Sequence, residues 1–292
     1  MLKSHTTSWA FAALLLLLSA TGCRQNKGDS QSLLSVVSPE TGSLAVAASG
    51  TSSSETSGKP SDGIVEYELP APLKDRPELI LHRTGYTVSY NSKTKNPNWV
   101  AWHLTKNRIY GSAKRAEEAF QEDASVPSPR AALTDYYNTG FDRGHMCPAA
   151  DNKWNATAMA ESFLLTNVCP QHHGLNKYEW NDVEIRCRLW AKTYGAVDIV
   201  CGPIYKSDPP KRTLGRNKVW VPDAFFKVVL CRKGTPKAIG FVYDNVGKKM
   251  SMAEHVYTVD EIEAMTGIDF FPALDDKVEK LVESEARLSD WE

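Results

Sequence analysis

The chain reads as an α+β protein with a mixed, largely antiparallel central sheet flanked by helices. Two observations lead there. Runs rich in β-branched and aromatic residues come first and last, with helical patterns inserted between them. Several of the runs are also joined by short connections, which favours antiparallel neighbours over a doubly wound parallel sheet. The composition, 42% hydrophobic and 10% aromatic over 292 residues, is that of a chain able to bury a substantial core, and excludes a disordered or fibrous protein.

From the N-terminus, residues 1–22 have the layout of an export signal: Lys3, the apolar run Trp9 to Leu18, then Ser19, Ala20, Thr21 and Gly22. Ten apolar residues are too few to span a bilayer, so export is expected and a permanent transmembrane anchor is not. Cys23 follows at once, and the segment resembles a bacterial lipoprotein signal, in which that cysteine carries the lipid. Ala20 departs from that pattern, which prefers leucine. The expectation is an exported, membrane-anchored chain facing the periplasm or the cell exterior, in a compartment that permits disulfides. Residues 23–63 then read as the anchor cysteine and a tether. Of residues 24–63, eleven are Ser, five are Gly and none is aromatic. Such a stretch cannot offset its ordering entropy and reaches about 35 Å as a flexible coil.

Residues 64–292 show no further low-complexity break and no solenoid repeat, and are read as one domain. Strands are expected at Leu79–His82, Tyr86–Tyr90, Trp99–Leu104, Val197–Cys201, Ala224–Cys231 and Ala238–Tyr243. Helices are expected at about Asn155–Leu164, Tyr178–Thr193, Val259–Met265 and Asp275–Ser284. Thr258 and Glu261 have capping-box spacing, and Gly267 stops that helix.

The formal net charge of −1 hides an uneven distribution. Val259 to Glu292 holds eleven acidic and three basic residues, so residues 64–258 carry a net +7. Two basic stretches stand out: Lys106 to Arg115, with four cations and no acid, and Lys206 to Lys218, with five cations and one acid. A solvated face is the usual meaning of such runs, and contact with a polyanion, against which the whole-chain charge argues, is the other.

The densest chemistry lies in Phe141-Asp-Arg-Gly-His-Met-Cys-Pro. Asp142, Arg143 and His145 surround Gly144, whose freedom suggests a tight turn. A carboxylate, a permanent cation and a group titrating near neutrality are what attack on a phosphodiester needs. Downstream, Asn167 begins the run Asn-Val-Cys-Pro-Gln, and Asn176 and Glu184 lie eight residues apart. Asn176 is expected at or before a helix start, with Glu184 two turns along on nearly the same face. Such an amide oxygen and carboxylate can hold a hard cation.

Taken together, these blocks resemble the DNA/RNA non-specific endonucleases, sugar-non-specific nucleases with a ββα-metal (His-Me finger) core. The likeness runs from about Tyr86 to Leu274 and includes the closing Thr-Gly-Ile-Asp-Phe-Phe-Pro-Ala-Leu274. It implies a Mg²⁺-dependent cleavage of DNA and RNA through their phosphate backbone, with Mn²⁺ substituting and with 5′-phosphate and 3′-hydroxyl ends. His145 would be the general base, and Asn176 the direct metal ligand. Glu184 and Asp142 would hold waters around the ion, Arg143 would neutralise the scissile phosphate, and Asn167 would support the geometry. Arg115, near Phe120 and Asp123, is the candidate for the additional upstream arginine. Other classes compatible with the residues are a phosphodiesterase for small phosphoesters and a binding-only member of the fold. A protein inhibitor and the oligomeric state leave no mark in the sequence.

Five cysteines follow Cys23, an odd number that allows at most two bridges. Cys201 and Cys231 end strand-like runs and are the plausible pair. Cys169, His172 and His173 have superficial zinc-ligand spacing, but no second module accompanies them.

Overall fold

A computed structural model of the chain describes residues 65–292 except Glu118 and Lys249. The expected export signal, Cys23, the expected tether and Ile64 lie outside the described residues. In chain order the strands are β1 (Leu79–His82), β2 (Thr87–Asn91), β3 (Asn96–Thr105), β4 (Phe141–His145), β5 (Val168–His172), β6 (Ala196–Ile204), β7 (Thr213–Leu214), β8 (Val219–Trp220), β9 (Ala224–Cys231), β10 (Lys237–Asp244) and β11 (Val256–Tyr257). The helices are α1 (Ala156–Glu161), α2 (His173–Lys177), α3 (Glu179–Tyr194), α4 (Val259–Thr266) and α5 (Asp276–Glu283).

Seven strands form the central sheet in the order β1-β2-β3-β6-β9-β10-β11, and every neighbouring pair is antiparallel. The α+β expectation holds, and the six strands read from the sequence all belong to this sheet. Alternation along β9 shows how the sheet is used. Phe226, Val228 and Leu230 face one side, where Val259 and Ile262 of α4 and Val282 of α5 cover them. Phe225 and Val229 face the other, against Trp180, Val183, Cys187 and Trp190 of α3. Those four recur at near-helical intervals along α3, so one stripe of the helix seals one face of the sheet. Each large apolar side chain so buried contributes roughly 1.5–3 kcal/mol.

Helix boundaries follow local chemistry. The Thr258 hydroxyl accepts the Glu261 N–H at 3.1 Å, and the Glu261 carboxylate accepts the Thr258 N–H at 2.8 Å. Gly267, at φ +67°, closes α4 by donating its N–H to Glu263 O.

The second, smaller sheet carries Asp142, Arg143 and His145. β4 and β5 pair antiparallel, with His145 opposite Val168 and Phe141 opposite His172. α2 follows β5 without a break. The resulting β-β-α unit rests on the α3 side of the main sheet: the Trp180 indole N–H donates to His145 O at 3.1 Å, and Cys201 Sγ of β6 donates to Met146 O at 3.3 Å.

The cysteine expectation is corrected. All five described cysteines are buried and free, so Cys201 and Cys231 are not bridged. β6 pairs with β9 so that Cys201 lies opposite Lys227, four residues from Cys231. At about 3.3 Å per residue that offset is ~13 Å, beyond the reach of a disulfide.

Candidate active site

The β4–β5 pairing includes one unusually close approach. Gly144 is an extended strand residue, not the turn expected from sequence. A Cβ there would lie 2.2 Å from Gln171 Oε1, so glycine is required by proximity to a neighbouring strand. Asn167 then clamps the segment after His145. Its amide oxygen accepts the Cys147 N–H at 2.9 Å, and its amide nitrogen donates to Cys147 O and Ser162 O, each at 2.8 Å. Fully buried and fully bonded, Asn167 ties β4 to the start of β5.

Arg115, Phe120, Asp142, Arg143, His145 and Asn176 converge on one open cleft of about 340 Å³, which Tyr136, Tyr137 and Phe141 complete. Phe120 organises it. The Arg143 guanidinium sits 4.5 Å from its ring centre, that of Arg115 5.3 Å, and the His145 imidazole packs at 5.2 Å. Phe163 supports His145 edge-on from another side, at 4.8 Å. Burial between these rings, with the Arg115 charge adding to it, pushes the His145 pKa from its ordinary 6.5 down to about 4. Its Nε2 atom is buried with no hydrogen-bond partner among the described residues. The group is therefore a neutral imidazole at neutral pH beside two guanidinium groups.

Asp142 organises the other wall. It accepts from Asn176 Nδ2 and pairs with His173 Nδ1, each at 2.9 Å. An ionised carboxylate only accepts, so the Asn176 nitrogen must face it, and the amide oxygen is left for another partner. Asn176 and Glu184 do not share one helix as expected. Asn176 belongs to α2, Tyr178 breaks the helical path at φ −114° and ψ −85°, and Glu184 belongs to α3.

Glu184 accordingly stands outside the cleft lining. It faces a buried charge cluster with Lys227, Asp151 and Arg188. Burial pushes its pKa up to about 7, against the pull of Lys227. Lys227 is only 1% exposed and occupies a core-facing position of β9, between the rings of Trp102 at 5.0 Å and Trp180 at 4.4 Å. Desolvation opposes its charge, but the thiols and carboxylates around it leave its pKa raised. Asp151 is held by Arg188 at 3.0 Å and by the Trp102 indole at 3.1 Å. Among the described residues no zinc-type convergence is found at Cys169: His172 Nδ1 accepts the Gly174 N–H, while His173 is turned to Asp142.

Residues 65–277 match the family model described as DNA/RNA non-specific endonuclease. The chain belongs to that family. Among curated relatives, mouse mitochondrial nuclease EXOG is 37% identical over 208 residues, covering 66% of this chain and 56% of its own length. Human mitochondrial Endonuclease G is 33% identical over 224 residues, covering 72% and 73%. Nuclease C1 of Cunninghamella echinulata var. echinulata is 33% identical over 230 residues, covering 74% and 90%. This chain thus spans little more than half of the mouse EXOG relative. Of solved structures, one from the EndoG/EndoGI complex, determined to explain EndoG inhibition, superposes with a TM-score of 0.64 at 29% identity, covering 69% of this chain and 89% of that one.

Within this endonuclease fold, Trp180 and Lys227 are site-building residues that sequence reasoning did not single out, while Phe120 was named only as a neighbour of Arg115 and His173 only for its spacing to Cys169. A lysine between Phe225–Phe226 and Val228–Val229 was the one visible anomaly, since an unbroken apolar strand is the natural partner for a buried helix.

Proposed function

We propose that the chain is a metal-dependent endonuclease that hydrolyses DNA and RNA with little sequence preference. The observation that carries this reading is the neutral, unpartnered His145 imidazole in one cleft with Arg143, Arg115 and the Asn176 amide.

The neutral His145 imidazole lining the cleft would take a proton from an attacking water, and its lowered pKa keeps it ready to do so at neutral pH. Arg143 and Arg115, held against Phe120, neutralise the phosphate without needing to reorganise. Asp142 orients the Asn176 amide. The donor set fits a hard cation: an amide oxygen freed by Asp142, and that carboxylate beside it. Asn176 would hold the cation, Mg²⁺ on this reading, with Asp142 supporting; the ion would supply Lewis-acid stabilisation of phosphate and leaving-oxygen charge. Glu184 reaches the site through the Lys227 cluster and Trp180, not by lining the cleft. Water attack with a 3′-oxygen leaving group gives 5′-phosphate and 3′-hydroxyl ends.

The deciding assay is cleavage of supercoiled plasmid and of RNA with Mg²⁺ or with EDTA. Turnover of a small phosphodiester with the plasmid left intact would overturn the reading. Asn176→Ala should raise the Mg²⁺ needed for half-maximal cleavage by at least ~10-fold, because even supporting partners of metal ligands carry that much. An unchanged metal titration excludes Asn176 as the ligand. Since the contacts are to backbone phosphate, cleavage rate at limiting polymer should fall at least ~10-fold between about 50 and 200 mM salt. A flat profile would exclude binding through backbone phosphates.

The export reading belongs to the same proposal and rests on the residue pattern of 1–23. On it, Cys23→Ala moves the protein from the membrane fraction to the soluble one.

A further inference from the structure

The acidic C-terminal segment plays no part in the cleft, and a different observation gives it a role. We propose that Asp260, Glu263 and Glu283 form a binding site for a hard divalent cation of calcium's size, bridging α4 and α5.

One carboxylate oxygen from each residue lies within 4.8 Å of the other two. Calcium binds six to eight oxygens at about 2.3–2.6 Å, so oxygens on opposite sides of the ion stand roughly 4.6–5.2 Å apart. The observed spacing fits inside one such sphere. Acidic residues often gather on a solvated face without an ion, but Glu283 is not on one. It is 6% exposed, and its Oε1 atom is buried with no hydrogen-bond donor among the described residues. A buried carboxylate oxygen without a donor is costly unless a cation or proton meets it.

No lysine or arginine pairs with any of the three among the described residues. The Phe270 N–H donates to Glu263 at 2.7 Å, and this fixes that carboxylate in place. Asp269 and Glu279 add further negative charge around the cluster. Asp260 is exposed, which leaves an entry path and room for water ligands. A cation here would join two helices whose shared business is covering one face of the central sheet.

The test is thermal melting of the full chain, stripped with chelator, with and without millimolar Ca²⁺. Wild type should gain roughly 5 °C when the ion is at about a hundred times its Kd. Asn176→Ala should gain the same amount, because the shift does not come from the cleft, and this separates failure here from failure of the nuclease reading. Glu283→Gln should lose most of the gain. Asp260→Asn, at an exposed position that folding tolerates, should lose at least half and leave nuclease activity unchanged. No gain in wild type, or an equal gain in Asp260→Asn and Glu283→Gln, overturns the site.

Discussion

Replacing His145 with alanine should lower plasmid and RNA cleavage by at least ~10², with the protein still folded. The size follows from the role: among the described cleft residues, His145 alone combines a neutral nitrogen with a position beside the guanidinium groups. Near-normal cutting by this variant would sink the mechanism. The lowered pKa adds a second, independent check. A base acts when deprotonated, and His145 is deprotonated above about 4, so wild-type cleavage should show no acid limb from this group between pH 5 and 8. A limb near 6.5 would mean that the imidazole is hydrated rather than packed between Phe120 and Phe163. Stability moves with the same sign. Because the folded-state pKa lies below the ordinary 6.5, the protonated form is disfavoured by folding. His145 therefore costs nothing above 6.5, and stability is lost as pH falls from 6.5 toward 4.

The second large effect concerns stability. Lys227→Met should destabilise the fold by about 3 kcal/mol or more, because removing one member of a buried charge cluster leaves its partners uncompensated. For a domain of this size that is a fall of roughly 6–12 °C in Tm. Methionine fills similar volume between Trp102 and Trp180, so the loss reports charge rather than a cavity. Glu184, whose charge Lys227 favours, should be the principal partner. Adding Glu184→Gln to Lys227→Met should restore part of the stability. A single variant that melts within a degree of wild type would show that the cluster is neutral without Lys227. Cleavage should fall too, since the Trp180 ring that packs on Lys227 also carries the indole N–H bonded to His145 O.

Much of the main sheet could be read from the residues. β1, β2, β3, β6, β9 and β10 carry β-branched and aromatic runs, and α4 announces itself through Thr258, Glu261 and Gly267. β4 and β5 could not. Phe141-Asp-Arg-Gly-His and Val168-Cys-Pro-Gln-His show no alternation of apolar and polar residues, since one carries chemistry and the other contains a proline. Their pairing comes from Asn167 and from the close fit of Gln171 over Gly144. α2 has five residues, too few to show a helical period, and it was missed although it carries Asn176. The positions of Asp142, Arg143, His145 and Asn176 were legible as chemistry before they were legible as structure. Arg115 had only loose spacing to recommend it, and the fold brings it to Phe120 and His145.

The division has a physical origin. The residue types around Gly144 are covalent neighbours, so chain connectivity alone places a carboxylate, a guanidinium and an imidazole close together. That much the sequence by itself determined, along with the separation of a +7 body from a −8 C-terminal segment. What connectivity does not decide is solvation. The lowered pKa of His145, the buried cation at Lys227 and the unpartnered oxygen of Glu283 each depend on residues distant in sequence that exclude water from them. Burial sets the energy of a charge, and burial belongs to the assembled fold.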